Sequence, residues 1–341
     1  MQKSLDRLQY LDITKGLAVL FMFTQHCMLV HEYAAGESEN LLSLIFVLLG
    51  TAPAAPVFML IMGIFLMRSK ATLKQNLVRG AKLLLLGYLL NLLRFTIPVW
   101  IASASGQTLS PDESPLQLLL TVDIFQLAGL ATIFGALIKK YINRKVYPLL
   151  VLATLLVSPL LWGLFDGNSL TMLFWGSGHN VHFPFFPWFV YPLAGMYLSP
   201  HLLDPAQVKT GTRTFALTGV FFIITGLVLL FLGAPIGDYH RSGLALHLII
   251  LGFIFLWLLL YLRISEKREE TGRLVSTLTF WSRNVTAMYF IQWVLFGWSV
   301  LLFGANSQNA YVAALIGLAV LLITHYMVKL PSVQKVFRVV R

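Results

Sequence analysis

Charge is scarce in this sequence: 11% of its residues are Asp, Glu, Lys or Arg, against about a quarter in an ordinary soluble domain. A chain so poor in charge cannot clothe a water-facing surface. Carboxylates are scarcer still, 14 against 25 Lys and Arg, which leaves a formal net charge of +11. Cysteine occurs once, as Cys27, which excludes an intramolecular disulfide and any cysteine-based metal cluster and leaves that thiol to be packed as an apolar group. The sequence has no P-loop, no GxGxxG turn and no GxSxG elbow, so nucleotide hydrolysis and serine-hydrolase chemistry have no support. None of the eight histidines stands in H-x-x-x-H or H-E-x-x-H spacing. His179 and His182 form a loose pair, and no metal is expected.

What the chain has instead is apolar length. Hydrophobic residues make up 57% of its 341 positions, and about 20 mainly apolar residues suffice to cross a bilayer as a helix. Ten such stretches are expected, near 13–31, 41–67, 81–101, 116–138, 147–165, 183–199, 214–233, 243–262, 278–303 and 310–329. With the connections assigned alternately to two sides, 22 of the 25 basic residues fall on one side. They run from Lys3, Arg7 and Lys15 through Arg68–Lys82, Lys139–Lys145, Lys209 and Arg213, and Arg263–Arg273 to Lys329–Arg341. Arg241 alone is on the other side, with Arg94 and Arg283 inside spans. The positive-inside rule then makes both termini cytoplasmic. The outward loops hold Glu32, Glu37, Glu39, Asp112, Glu113, Asp166 and Asp238. Basic residues in short runs between apolar segments do not make one solvated patch, so nucleic acid is not a partner; membrane lipid is. The expectation is an all-α polytopic membrane protein, one domain over residues 1–341. Reading the first span as a signal peptide is disfavoured by Asp12, Lys15 and His26 within it.

Ionisable groups at membrane depth are costly and mark sites by default. Lys15 and His26 are eleven residues apart, about 16 Å of helical rise and close to three turns, so they share a face, which Asp12 joins. The bland alternatives are an interfacial ion pair for Asp12 and Lys15 and an interhelical hydrogen bond for His26. "GTAPAAP", Gly50 to Pro56, interrupts the second span, as a kink with tight packing or beside a cavity. His26, His31, His179, His182, His240 and His247 all fall in the outer half, where Asp123 and Arg94 can pair, and a neutral imidazole there is a proton acceptor. In "LTFWSRNVTAMYFIQW", Arg283 and Asn284 lie near the inner end of a span, with Gln292 about 13 Å further in.

Five stretches, in order along the chain, resemble a known family. "LDITKG", "PVFMLIMG", "IFQLAG", "FPFFPWFVYPLAGMYL" and "LTFWSRNVTAMYFIQW" are similar to motifs of heparan-α-glucosaminide N-acetyltransferase and its bacterial relatives. These belong to the transmembrane acyltransferase superfamily that also contains the acyltransferase-3 enzymes. The resemblance implies an enzyme that takes an acyl group, commonly acetyl, from acyl-CoA in the cytosol and delivers it to a hydroxyl or amine of a carbohydrate beyond the membrane. It implies a bacterial inner-membrane location and, from the heparan branch, a homodimer. His26 matches the catalytic histidine of the acyltransferase-3 members, with Asp12 beside the stripe; His31 is the alternative from the N-acetyltransferase members. Lys15 stands where the family has arginine, and Gln292 where it has histidine. Lys15, Arg283, Asn284, Gln292, Arg79 and Lys82 are then expected to hold coenzyme A, and His179, His182 and Asp123 to shape the acceptor site. The rival expectation is a secondary transporter or lipid-linked sugar flippase, for which broken helices and midplane charges are equally natural.

Overall fold

The structure, a computed structural model, describes residues 9–33, 40–106, 114–165, 168–176, 178, 180–203, 205–267 and 272–338. Lys3, Arg7, Glu37, Glu39, Asp112, Glu113, Asp166, His179, Arg268 and Arg341 lie outside the described residues.

The first helix, α1 (Gln9–His31), is unbroken and carries Asp12 in its first turn, where a carboxylate meets the positive end of the helix dipole. Asn40 caps α2 (Leu41–Gly50) by accepting from the Leu42 N–H at 2.9 Å. Pro53 and Pro56 bring no N–H to a helical ladder, so the chain leaves the helix after Gly50 and re-enters it as α3 (Ala55–Arg68). Next, α4 (Leu73–Asn91) loosens into a π-helical turn, Leu92–Thr96, before α5 (Ile97–Ala104). Ser114 and Gln117 form a capping box on α6 (Pro115–Leu119), and Asp123 and Gln126 form one on α7 (Ile124–Tyr141). The span expected over 116–138 is therefore not continuous, and Asp123 is the N-cap of a helix rather than a residue inside one. Capping boxes satisfy the first unpaired N–H groups of a helix, and here they re-start one within an apolar run.

A short 3-10 turn, Arg144–Val146, leads to α8 (Tyr147–Leu161), followed by α9 (Ser169–Trp175). The span expected over 183–199 is also corrected. Pro184 and Pro187 confine the first piece to α10 (Phe185–Trp188), with Phe186 extended at φ −95° and ψ 123°, and α11 (Val190–Leu203) is 14 residues long. The chain continues as α12 (Pro205–Phe231), α13 (Leu244–Lys267), α14 (Arg273–Arg283), α15 (Val285–Phe303), α16 (Ala310–Lys329) and α17 (Pro331–Arg338). The expected span 278–303 is thus two helices, parted at Asn284, where φ is −114° and ψ 20°.

Among the described residues nine helical stretches are long and apolar enough to cross a membrane, and β-structure is limited to isolated bridges. The protein is an all-α polytopic membrane protein.

The chain forms two compact units: residues up to Thr14 with 56–84 and 122–272, and residues 15–55 with 85–121 and 273–341. In the first, α3 and α11 touch backbone to backbone. A Cβ on Gly63 would sit 2.1 Å from the Pro192 carbonyl oxygen, and one on Gly195 would sit 1.9 Å from that of Leu60. Gly80 and Gly129 bring α4 against α7 in the same way, and Gly219 and Gly252 bring α12 against α13. In the second unit α1 meets α14 at Gly16, whose Cβ would lie 2.3 Å from the Leu278 oxygen. Small residues that let backbones meet are the usual means of holding helices together in lipid, where no hydrophobic force acts between them. Gly16, Gly63, Gly129 and Gly195 each belong to one of the five quoted stretches, so part of that resemblance records packing.

Candidate active site

His26 sits on α1 in the second unit and is 9% exposed. Residues three and four apart on a helix share a face, and α15 presents Tyr289, Gln292 and Trp293 to the imidazole. The Trp293 ring lies 4.3 Å from it centroid to centroid, and the Tyr289 ring meets it edge-on at 6.0 Å. The Gln292 side-chain amide contacts Nδ1 of His26. Gln292 is fully buried. Its Oε1 and the Trp293 indole Nε1 are buried without a hydrogen-bond partner among the described residues.

The orientation of that amide selects the tautomer of His26. If the amide NH2 donates to Nδ1, the imidazole proton resides on Nε2 and no basic nitrogen is left over. If the amide is turned, Nδ1–H donates to Oε1, Nε2 becomes a proton acceptor, and the NH2 faces away as a donor. The second arrangement is the one a general base requires, with Gln292 in the orienting role that a carboxylate fills in other base-assisted sites.

Arg94 extends the group. It lies in the π-turn, 1% exposed, with its guanidinium carbon 4.6 Å from the Trp293 ring centroid and 4.3 Å from that of Phe95. Its Nη2 donates to Asn91 Oδ1 at 2.9 Å, and Asn91 Nδ2 donates to the Leu119 and Thr121 carbonyls at 2.9 and 2.7 Å. Gly297 on α15 packs against the Arg94 carbonyl, which fixes the π-turn beside Trp293. Trp293 carries no role in the sequence reading, and Arg94 only that of a partner for Asp123. The signal for Arg94 was its position as one of two basic residues inside a span, and a π-turn often accompanies a functional site.

His31, one further face along α1, is held differently. Its Nε2 lies 2.8 Å from Ser299 Oγ and its Nδ1 3.1 Å from the Gly304 carbonyl oxygen, and it is 0% exposed. Both nitrogens are engaged in tying α1 to α15. The adjacent Glu32 is 3% exposed and accepts from Ser43 Oγ.

Toward the opposite end of α1, Lys15 is half-buried next to the Gly16–Leu278 contact with α14. Arg283 ends α14 and is exposed. Asn284 is buried, and its Nδ2 donates to the Phe280 carbonyl at 2.8 Å, closing the C-terminus of α14. Asp12, Arg79 and Lys82 belong to the first unit, Arg79 exposed and the other two half-buried. The break at 51–54 is packed on one side: a Cβ on Gly50 would lie 2.0 Å from the Gln25 side chain. An apolar cavity of about 520 Å³ between α1, α2 and α16 is lined by Phe23, Cys27, Phe46 and Leu318 among others and contains no charged side chain. Cys27 is 1% exposed there and in contact with Gly317.

The first unit has its own polar cluster. Asp123 is 5% exposed and accepts from the Ile124 N–H at 2.7 Å. The His182 and His240 rings stand 5.2 Å apart. Trp188 Nε1 donates to the His240 carbonyl at 2.8 Å, and the Tyr239 ring meets Trp188 at 5.4 Å. Burial, with His182 beside it, pushes the His240 imidazole down to about 4, against the opposing pull of Asp238 and Asp123. Asp238 itself is bridged by Arg241 at 2.8 Å. His247 is fully buried, with Tyr191 OH at 2.8 Å from Nδ1 and Ser242 Oγ at 3.1 Å from Nε2. Among the described residues no three His, Cys, Asp or Glu side chains converge on a point.

Residues 8–327 match the family model of acyltransferase-3, described as an acyltransferase domain. No curated protein and no solved structure matches the chain.

Proposed function

The chain belongs to the acyltransferase-3 family, a membrane acyltransferase, and we propose on that premise that it moves an acyl group from acyl-CoA at the cytoplasmic face to a hydroxyl or amine of a carbohydrate at the opposite face. The observation that carries this reading is the His26–Gln292 contact, beside which the turned amide leaves two buried donors to be satisfied, the Gln292 NH2 and the Trp293 Nε1–H. Buried polar groups without partners are costly, and a reacting thioester supplies what they lack, a carbonyl oxygen to accept, while the incoming O–H or N–H donates to His26 Nε2.

In this mechanism His26 Nε2 takes the proton from the acceptor hydroxyl or amine as its oxygen or nitrogen attacks the thioester carbonyl. The carbonyl oxygen becomes an oxyanion, met by the turned Gln292 amide or the Trp293 N–H, with the Arg94 cation one ring away. The carbon–sulfur bond then breaks, and the departing thiolate recovers the proton from His26. Products are the acylated carbohydrate and free coenzyme A. Lys15 and Arg283 of the second unit suit the coenzyme A phosphates because the distribution of basic residues assigns their ends of the helices to the cytoplasm, and Arg79 and Lys82 of the first unit are cytoplasmic by the same rule. His182 and Asp123 belong to the opposite face by the same rule and serve the acceptor. His31, with both nitrogens engaged, serves as an interhelical tie. A nearer kinship to heparan-α-glucosaminide N-acetyltransferase, and the homodimer that goes with it, rest on the five motif stretches.

Proteoliposomes with acetyl-labelled coenzyme A on the cytoplasmic side and an amino sugar oligosaccharide on the other test the reading. Label on the saccharide is the expected result. Ion-driven uptake of the saccharide without label on it would replace the enzyme with a transporter.

A further inference from the structure

The cytoplasmic end of the second unit lacks counter-charge. From Arg273 to Arg341 the sequence holds six Lys and Arg and no Asp or Glu. The unit's carboxylates, Glu32, Glu37, Glu39, Asp112 and Glu113, fall in connections that the alternation of spans assigns to the opposite face. Whatever balances the cations at the end of α16 and on α17 is therefore not a carboxylate of this unit.

Proline sets how those cations are presented. α16 ends at Lys329, and Leu330 is extended at φ −64° and ψ 131°, the conformation favoured before a proline, so the chain turns before Pro331 begins the eight-residue α17. Phe337 is buried and meets the Phe290 ring of α15 at 5.5 Å, which pins one face of α17 to the bundle. Lys335 and Arg338, three residues apart, share another face and are exposed, as is Lys329. None of the three is in an ion pair among the described residues. One turn before Lys329, His325 adds a directed donor. The Trp281 indole, which can only donate, gives its N–H to His325 Nδ1 at 2.9 Å, so the proton of the neutral ring resides on Nε2.

Apolar side chains stand among the cations. Tyr326, Leu330 and Val336 are all exposed, and the Lys329 ammonium lies 5.5 Å from the Tyr326 ring centroid. A soluble anion such as a nucleotide needs no exposed leucine or valine beside its phosphate ligands. A lipid headgroup does, because its acyl chains continue below the phosphate. A short helix with cations on its free face and apolar residues beside them is the pattern of a segment lying in the membrane interface.

We propose that Lys329, Lys335 and Arg338, with the His325 N–H one turn from Lys329, bind the phosphate of an anionic phospholipid of the cytoplasmic leaflet. Arginine offers that phosphate a planar fork and lysine a point charge. The assignment does not depend on acyl transfer or on His26.

Purified full-length protein in a neutral detergent is titrated with phosphatidylglycerol and with phosphatidylcholine of identical tails, and the tightest-bound lipid is followed by native mass spectrometry. Phosphatidylglycerol is expected to bind at least about tenfold more tightly. A cation at a membrane surface contributes about fivefold, so Lys335→Gln combined with Arg338→Gln is expected to lower that affinity by about tenfold or more. Lys140→Gln combined with Lys145→Gln removes the same charge from the first unit's exposed basic segment and is expected to leave the affinity within about twofold of the parent. Phosphatidylglycerol carrying a diazirine near the headgroup gives a readout on the unmutated protein: crosslinks on α17 or the end of α16 support the assignment. Equal losses in the two double variants would reduce the effect to net charge, and crosslinks confined to other helices would overturn it as well. Adenosine 3′,5′-bisphosphate separates the two sources of phosphate. It is expected not to compete; displacement of the lipid by it would make this surface a nucleotide site, and the lipid assignment would fall.

Discussion

Gln292 on α15 places its amide against Nδ1 of His26 on α1, 266 positions away in sequence, and both residues are buried. The pair joins the helix that carries the first quoted stretch to the last stretch itself. A glutamine in this place orients an imidazole without adding charge, so the tautomer of His26 is set by which end of the amide faces it.

Gln292→Ala is accordingly expected to lower kcat by about tenfold or more, within the range a general base contributes, while the KM for acyl-CoA changes little. Steady-state kinetics on purified protein read this directly. A rise in KM at unchanged kcat would instead assign Gln292 to donor binding.

His31 and Ser299 give the opposite expectation. Interhelical hydrogen bonds in membranes contribute about 1–2 kcal/mol at most, so Ser299→Ala and His31→Phe are expected to lower the thermal midpoint in detergent and leave turnover within a few-fold of the parent. Loss of turnover at an unchanged melting temperature would make His31 the base.

The motif glycines yield a folding prediction. Gly195→Val drives side-chain carbon into the Leu60 carbonyl, where a Cβ already would lie at 1.9 Å, and loss of the monodisperse peak in size-exclusion chromatography is expected. Gly178→Ala meets nothing within 4 Å and is expected to behave as the parent. A monodisperse Gly195→Val protein would show that α3 and α11 do not meet as described.

Asp123 separates a capping role from an acceptor role. Asparagine caps helices as well as aspartate does, whereas alanine costs about 1 kcal/mol, so Asp123→Asn is expected to keep the parental melting temperature and Asp123→Ala to lower it. A raised acceptor KM in Asp123→Asn is the expected mark of the carboxylate's second use.

His240 makes stability depend on pH. Its imidazole titrates near 4 in the fold instead of near 6.5, so between those values the unfolded chain binds a proton that the folded one resists. Its contribution is complete above 6.5 and is lost as pH falls toward about 4. His182, Asp123 and Asp238 also face it, so the comparison is with His240→Gln, whose melting temperature is expected to fall less between pH 7 and pH 4.5. Parallel curves for the two proteins would contradict the buried neutral imidazole.

The helical class and the break after Gly50 were legible because each follows from composition or proline. The interruptions at 120–123 and at Asn284 were not, whereas the prolines of 183–199 signal the one at Phe186. An apolar run reads as one span, and a capping box such as Asp123–Gln126 looks in sequence like two more polar residues within it. The partner Trp293 was hidden for another reason: an aromatic in an apolar helix gives no signal until the ring opposite it is known. Lys15, Arg283, Arg79 and Lys82 were assigned from charge and from the motif resemblance, and charge says which face they belong to without saying which atoms they hold.

The central claim is that His26 is the base. Acyl transfer by purified His26→Ala protein, reconstituted with acetyl-CoA and a saccharide acceptor, measures it most directly. The account predicts at least about a hundredfold loss of kcat with the protein still folded and still binding acetyl-CoA. Transfer at the parental rate would contradict it.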